Sequence, residues 1–138
     1  MRAARIMFMI ASVLTILGGV AHFAGQFGSA LEGAESLISA MRSFKLGNNP
    51  RALSFWDVMQ SWGIGLGTDL IWIGILSLVL AAYLAERPSM LRIAAIINGA
   101  GTLAFVGLAL HYGIVGPALI MCLPMAAFFL AAIFSRVR

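Results

Sequence analysis

The sequence predicts an all-α fold, namely a four-helix transmembrane bundle with an amphipathic interfacial helix between spans 1 and 2. The chain has 138 residues, of which 62% are hydrophobic and only 10% are charged. Soluble domains are nearer half apolar and one quarter charged, and a chain of this length, which fits a single domain, cannot bury so much apolar surface in water. Four apolar runs are long enough to cross the hydrocarbon core of a bilayer.

The four predicted spans cover about residues 6–27, 54–86, 91–112 and 117–135. Ser54 suits the N-cap of span 2, which would be about 50 Å long and would extend beyond the hydrocarbon into the headgroup region. Pro88 ends this span. Pro117 opens span 4, and Pro124 should kink it and leave the carbonyl group near Ile120 without its usual donor.

Residues 28–53 form the one long connection, a surface linker between spans 1 and 2. Its apolar residues recur at helical spacing: Leu31, Ala34, Leu37, Ile38, Met41 and Phe44 or Lys45. With Glu32, Glu35 and Arg42 at the other positions, the pattern predicts an amphipathic helix that lies on the outer membrane surface.

Lysine and arginine positions predict that both termini lie inside. With the N-terminus inside, six basic residues fall at the inner ends of the spans and three at the outer side, which agrees with the positive-inside rule. The net charge of +4 therefore suits membrane anchoring. No basic cluster interleaved with aromatic residues is present, so nucleic acid is not an expected partner.

Polar residues on span 1 follow one stripe. Their spacing alternates between three and four residues: Ser12, Thr15, Gly19, His22 and Gln26. The first three suit a helix-packing seam in which the hydroxyl groups bond back to their own helix. Two large polar side chains on a buried seam need partners, so His22 and Gln26 are candidate ligand-binding residues.

Span 2 carries two carboxylic acids in different settings. Asp57 falls in the extra turns at the headgroups, where it also favours the positive end of the helix dipole. Asp69 falls in the outer half of the hydrocarbon, where an acid is either functional or a neutral group bonded to a neighbouring helix, and both interpretations stay open. Gly63, Gly67 and Gly74 occupy a neighbouring face and indicate plain helix packing.

The polar candidates converge on one leaflet, because His111 also lies near the outer end of its span. A bundle with a pocket open to the outer side would gather several of them. The predicted ligand-binding set is His22, Gln26, Trp56, Asp57, Gln60, Asp69 and His111.

Several chemistries fit this set, and the sequence leaves open whether the protein is an enzyme. Haem would need His22 and His111 to face each other at one depth. Acid–base catalysis on a lipophilic substrate would use His22 with Asp69 or Asp57. No local spacing such as HxxxH supports a metal site, and a single cysteine, Cys122, excludes a dithiol redox site within the chain.

Two stretches, "GGVAHFAGQF" at the end of span 1 and "SFWDVMQSWGIGLG" at the start of span 2, combine with a surface linker and two closing spans. This layout resembles the DoxX-like and related uncharacterised small four-span bacterial membrane proteins over most of the chain. The resemblance implies a compact bundle in the bacterial cytoplasmic (inner) membrane, and some DoxX-type proteins are associated with redox complexes or quinones. It points to His22 and the Trp56–Gln60 region.

The leading prediction is a small integral membrane protein that binds a lipophilic ligand or a partner membrane subunit, with a quinone or redox complex as the expected association. The alternatives are a proton-coupled transporter of small solutes with Asp69 as the coupling residue, and a membrane enzyme that acts on a lipophilic substrate. The expected partners are the lipid bilayer and either another membrane protein or further copies of the chain.

Overall fold

A computed structural model describes residues 2–27, 33–49 and 51–135. Within these ranges the chain forms five helices: α1 (Arg2–Gly25), α2 (Glu35–Ser43), α3 (Phe55–Tyr83), α4 (Pro88–His111) and α5 (Val115–Phe134). Four of them, all except α2, are long and apolar enough to cross a membrane. The predicted all-α helical bundle with four span-length apolar helices is therefore confirmed, whereas its insertion and the surface position of α2 stay predictions.

The helix ends differ slightly from the predicted spans, and two of the differences lie near prolines. Pro88 is the first residue of α4, a position that proline favours because the missing N–H has no helical acceptor there. The last long helix, α5, begins at Val115, two residues before Pro117, which still lies in the first turn. Of the linker residues predicted to be helical, Leu31 and Glu32 lie outside the described ranges, and Ala34, Phe44 and Lys45 lie just beyond the ends of α2.

The four long helices form an up-down-up-down bundle in which α1 and α5 are central. Helix α1 packs against α3 and α5, and α5 packs against α4. Helices α3 and α4 are consecutive but lie further apart than these pairs. A side-chain contact joins them, since the Ser77 hydroxyl group donates to Asn98 Oδ1 at 3.3 Å. The bundle is thus more open along its α3–α4 side.

Glycines bring the backbones of α1 and α3 into direct contact. A Cβ atom added at Gly19 would lie 2.8 Å from the Gly67 carbonyl oxygen and 2.9 Å from the Ile71 backbone nitrogen. At Gly74 it would meet the Ser12 carbonyl oxygen at 2.8 Å. Small residues allow this approach, so the predicted packing role of the Gly67–Gly74 face is what the structure shows.

The polar stripe of α1 turns inward, as the sequence predicts. Ser12 and Thr15 are buried, and their hydroxyl groups donate to the carbonyl oxygens of Phe8 and Ala11, at 2.8 Å and 2.9 Å. These bonds within α1 satisfy the hydroxyl donors without any other helix. The backbone of α1 can therefore pack closely against its neighbours along this seam.

Two apolar clusters fill the interior. The larger one surrounds Phe8 and Phe128, whose rings meet edge to face with centroids 5.2 Å apart. The smaller one lies toward the other end of the bundle and consists of Leu70, Val106, Ala109, Ala118 and Met121. We call that end the distal end; it holds the C-termini of α1 and α4 and the N-termini of α3 and α5.

Replacing Gly19 with alanine should destabilise the protein by about 1–3 kcal/mol, the usual cost of overpacking. The added methyl group would meet backbone atoms of α3, which cannot move aside as a flexible side chain can. Thermal unfolding in mild detergent, followed by far-ultraviolet circular dichroism, measures the change. Gly101→Ala is the matched control, because a Cβ there meets open space and alanine favours the helix. Equal midpoints for the two variants would contradict the close contact.

Candidate functional site

A cavity of about 330 Å³ lies at the distal end of the bundle, between all four long helices. One wall comes from α1 and consists of Gly18, Ala21, His22, Gly25 and Gln26. The other walls consist of Leu70 from α3, Phe105 from α4, and Pro117, Ile120 and Met121 from α5. The lining is therefore mostly apolar with two polar side chains, which is the usual character of a small-molecule site.

The cavity runs from a buried floor to an exposed mouth. At the floor, Leu70 is 8% exposed and Met121 is 2% exposed. At the mouth, Ala21 and Gly25 on α1 and Ile120 on α5 are exposed. The opening therefore lies between α1 and α5, on the outside of the bundle, and small residues on α1 keep it open.

The His22 imidazole carries a buried nitrogen atom without a partner. Its Nε2 atom is shielded from solvent and has no hydrogen-bond partner among the residues that the structure describes. Most buried polar atoms in proteins are hydrogen-bonded, and an exception calls for an explanation such as a water molecule or a ligand. A neutral imidazole nitrogen can donate or accept a hydrogen bond, depending on the tautomer. His22 is therefore the strongest candidate for a contact to a bound molecule.

The amide group of Gln26 lies against α3, in a notch at Gly63. An added Cβ at Gly63 would overlap the Gln26 amide group, so this amide occupies the space that any larger residue at position 63 would fill. Gln26 and His22 are one turn apart on α1 and both line the cavity. The structure thus brings these two residues of the predicted set to one cavity, and their role in ligand binding stays a prediction.

Pro124 changes the hydrogen bonding of the α5 wall. A proline has no backbone N–H, so the carbonyl group of Ile120 lacks its usual helical donor four residues later. Pro124 is buried within α5, and Ile120 lines the cavity. The α5 wall therefore combines an apolar surface with the carbonyl group of Ile120, which lacks its helical hydrogen bond from position 124.

Asp57 lies away from the cavity and caps α3. Its Oδ2 atom accepts from the Ser54 backbone nitrogen at 2.8 Å and from the Ser54 hydroxyl group at 2.7 Å. In return, the Ser54 Oγ atom accepts from the Asp57 backbone nitrogen at 3.1 Å. This reciprocal capping box satisfies donors at the helix start. The predicted N-cap at Ser54 is correct, and the Asp57 carboxylate is engaged in holding it.

Trp56 joins α2 to α3. The Arg42 guanidinium group lies 5.6 Å from the centroid of the Trp56 ring, in a cation–π contact. The linker also folds back on the start of α3, because the Leu46 backbone nitrogen donates to the Leu53 carbonyl oxygen at 2.8 Å. Gln60 lies one turn further along α3 and is half-buried. Trp56 and Gln60 are thus near the distal end but outside the cavity lining.

Asp69 and His111 lie on the outside of the bundle. Both side chains are exposed, and His111 contacts Tyr112 edge to face with ring centroids 5.0 Å apart. Of the seven candidates, the structure brings two, His22 and Gln26, together in the cavity. His111 does not face His22 across it, as axial ligation of haem would require. Within the described residues, no group of three histidine, cysteine or acidic side chains could hold a metal ion.

The sequence interpretation missed the apolar walls of the cavity. On α1, the spacing of Gly18, Ala21 and Gly25 beside His22 is a signal that was available, because small residues next to a polar stripe leave room. The residues from α3, α4 and α5 have no such signal. Leu70, Phe105 and Met121 resemble any other core residues until the register of the helices is known.

Comparison of the chain with protein-family models, with curated proteins and with solved structures found no match.

Replacing Ser54 with alanine should lower the free energy of unfolding by about 1 kcal/mol, the typical cost of losing an N-cap. The substitution removes the acceptor for the Asp57 backbone nitrogen and one donor to its carboxylate. Unfolding of the protein by denaturing detergent, followed by circular dichroism, measures the loss. Ser61→Ala is the control, because that exposed hydroxyl group only donates to Val58 of its own helix. An unchanged stability of Ser54→Ala would count against the capping box.

Proposed function

We propose that this protein is a multi-pass membrane protein that binds a small lipophilic molecule with one polar group in the distal cavity. The observation that carries the proposal is that His22, which lines an apolar cavity, has a buried Nε2 atom without a hydrogen-bond partner among the described residues. Pockets between the helices of a bundle are usual ligand sites. A ligand that offers one hydrogen-bonding atom to His22 would satisfy the imidazole and fill the apolar space.

The surface of the bundle supports insertion in a bilayer. Large apolar side chains are more than half exposed on each long helix, for example Leu17, Val79, Ile97 and Leu119. Contiguous apolar surface of this kind is unusual on a soluble monomer and marks contact with a membrane or a protein. With the orientation that the basic residues predict, both termini are inside and the cavity is in the outer leaflet. We place the protein in a bacterial inner membrane on the resemblance to DoxX-like proteins, which stays a prediction.

The ligand chemistry follows from the lining. The imidazole of His22 and the amide of Gln26 each offer both donor and acceptor capacity, so a carbonyl or hydroxyl group suits them. The volume of about 330 Å³ is at the lower end of the range for ligand pockets. It therefore fits a head group, with any long tail leaving through the mouth between α1 and α5 into lipid. A quinone head group combines an apolar ring with carbonyl oxygens.

Binding is favoured over transport and over catalysis by the position of the acids. A transporter that uses Asp69 for proton coupling would need this carboxyl group on the solute path, but it faces outward from α3. An enzyme that pairs His22 with Asp57 or Asp69 would need one of them beside the imidazole. Asp57 caps α3 instead, and neither acid lines the cavity.

A blocked mouth should abolish ligand retention. In Ala21→Phe the aromatic ring would occupy the opening, whereas Ala24→Phe places the same ring on an exposed position of α1 outside the lining. We expect native mass spectrometry of protein extracted in mild detergent to find a bound lipophilic molecule in the wild type and in Ala24→Phe, but not in Ala21→Phe. Equal retention in the two phenylalanine variants would show that the molecule binds elsewhere.

Removal of the His22 imidazole should weaken binding of a short-chain benzoquinone about tenfold, which corresponds to one hydrogen bond of about 1.4 kcal/mol. His22→Leu keeps the apolar volume and removes the polar atom. Quenching of tryptophan fluorescence by the quinone, in detergent or in lipid nanodiscs, measures the affinity. His111→Leu, on the outside of the bundle, is the control. Unchanged affinity in His22→Leu would remove the central contact of this proposal.

A further inference from the structure

The α3 face around Asp69 has an unusual combination of residues for a lipid-facing surface. Trp62 is 76% exposed and Trp72 is 58% exposed, and Gly65 between them has open space where a side chain would be. Asp69 shares this face, because positions 62, 65, 69 and 72 follow helical spacing. Since hydrocarbon solvates an acid poorly, an acid within a span normally faces protein or a wet cavity.

The α4 face that ends at His111 has the complementary character. Ala100, Ala104, Gly107 and His111 are all exposed and recur at steps of four, three and four residues, so they form one stripe. A Cβ added at Gly107 would meet open space. Small residues form the shallow groove against which another helix packs in a membrane. His111 is the one imidazole on this stripe and is the last residue of α4, where the helix dipole favours a cation.

Asp69 and His111 lie in the same half of the bundle. Leu70, next to Asp69, belongs to the smaller apolar cluster together with Val106 and Ala109. His111 lies less than two turns after Val106 along α4. Side chains lean toward the N-terminus of their own helix. Since α3 and α4 are antiparallel, the two side chains lean toward each other along the membrane normal. The described side-chain hydrogen bonds involve neither of them.

We propose that copies of this chain assemble head to tail in the membrane, with the Asp69 face of α3 in one copy packed on the His111 face of α4 in the next. The carboxyl group of Asp69 pairs with the imidazole of His111, and the small residues of α4 receive the bulky residues of α3. Such a heterologous contact closes into a ring or continues as a row. The inference rests on membrane insertion from the proposed function, but not on the ligand.

The proposal fixes a register between the two helices. If Asp69 lies opposite His111 in an antiparallel pair, Leu76 lies opposite Ala104, seven residues from each. Both are exposed. In a Cys122→Ser background, Leu76→Cys with Ala104→Cys should form disulfides between copies on oxidation in native membranes and give a ladder of covalent oligomers. Leu76→Cys with Ile93→Cys is the control, because Ile93 is exposed on the same stripe of α4 but lies three turns, about 16 Å, from Ala104.

The charge pair is tested by exchange of its members. We expect native mass spectrometry in mild detergent to find oligomers of the wild type, monomers of Asp69→Ala and of His111→Ala, and oligomers again in Asp69→His combined with His111→Asp. Recovery in the exchanged variant excludes misfolding as the reason for the loss. His22→Leu should keep the oligomer, so that failure of ligand binding and failure of assembly are distinguishable.

Three results would overturn the proposal: a monomeric wild type that gives no ladder, oligomers that persist in Asp69→Ala, or equal ladders from the test and control cysteine pairs. A different membrane protein that co-purifies in stoichiometric amount and is lost in Asp69→Ala alone would overturn it as well. That result would assign the α3 face to another subunit rather than to a second copy.

Discussion

The contact between the backbones of α1 and α3 is the constraint on which the rest of the structure depends. Gly19 lies against the Gly67 carbonyl group so closely that even a methyl group is excluded. This contact fixes the rotation of α1, and with it the direction of every residue on the polar stripe. Because Ser12, Thr15 and Gly19 face inward, His22 and Gln26, which continue the stripe, also face inward and meet the cavity. A rotation of α1 by a quarter turn would remove both side chains from the site.

The contact between α1 and α3 also explains why the two acids of α3 have different surroundings. The face of α3 that carries its glycines is committed to α1, so residues on the other side of the helix point outward. Asp57 lies in the first turn of α3, and its carboxylate accepts a hydrogen bond from the Ser54 backbone nitrogen. Asp69 lies well inside the helix and is exposed. Asp57 thus has a clear structural role within the chain, whereas Asp69 points to the outside of the bundle.

Much of this architecture could be predicted from the sequence because it depends on patterns within single helices. Length and apolarity identify the four long helices, the stripe on α1 identifies its inner face, and Ser54 identifies the start of α3. The composition of the cavity could not be predicted, since it depends on which residues of four helices reach the same depth. Asp69 and His111 illustrate the difference. Their position in the same half of the bundle could be predicted by counting along the chain, but their outward direction depends on the packing of α3 against α1 and of α4 against α5.

The open α3–α4 side described above also bears on biosynthesis. The chain consists of two antiparallel hairpins, one of α1 with α3 and the other of α4 with α5, and each hairpin is formed by helices that follow one another along the span order. As the ribosome delivers the N-terminal part first, α1 and α3 can complete their glycine contact before the second hairpin exists. The later pair then docks on a finished template through α5 and α1. In this order α1 completes its contact with α3 early, and only its contact with α5 waits for the last helix.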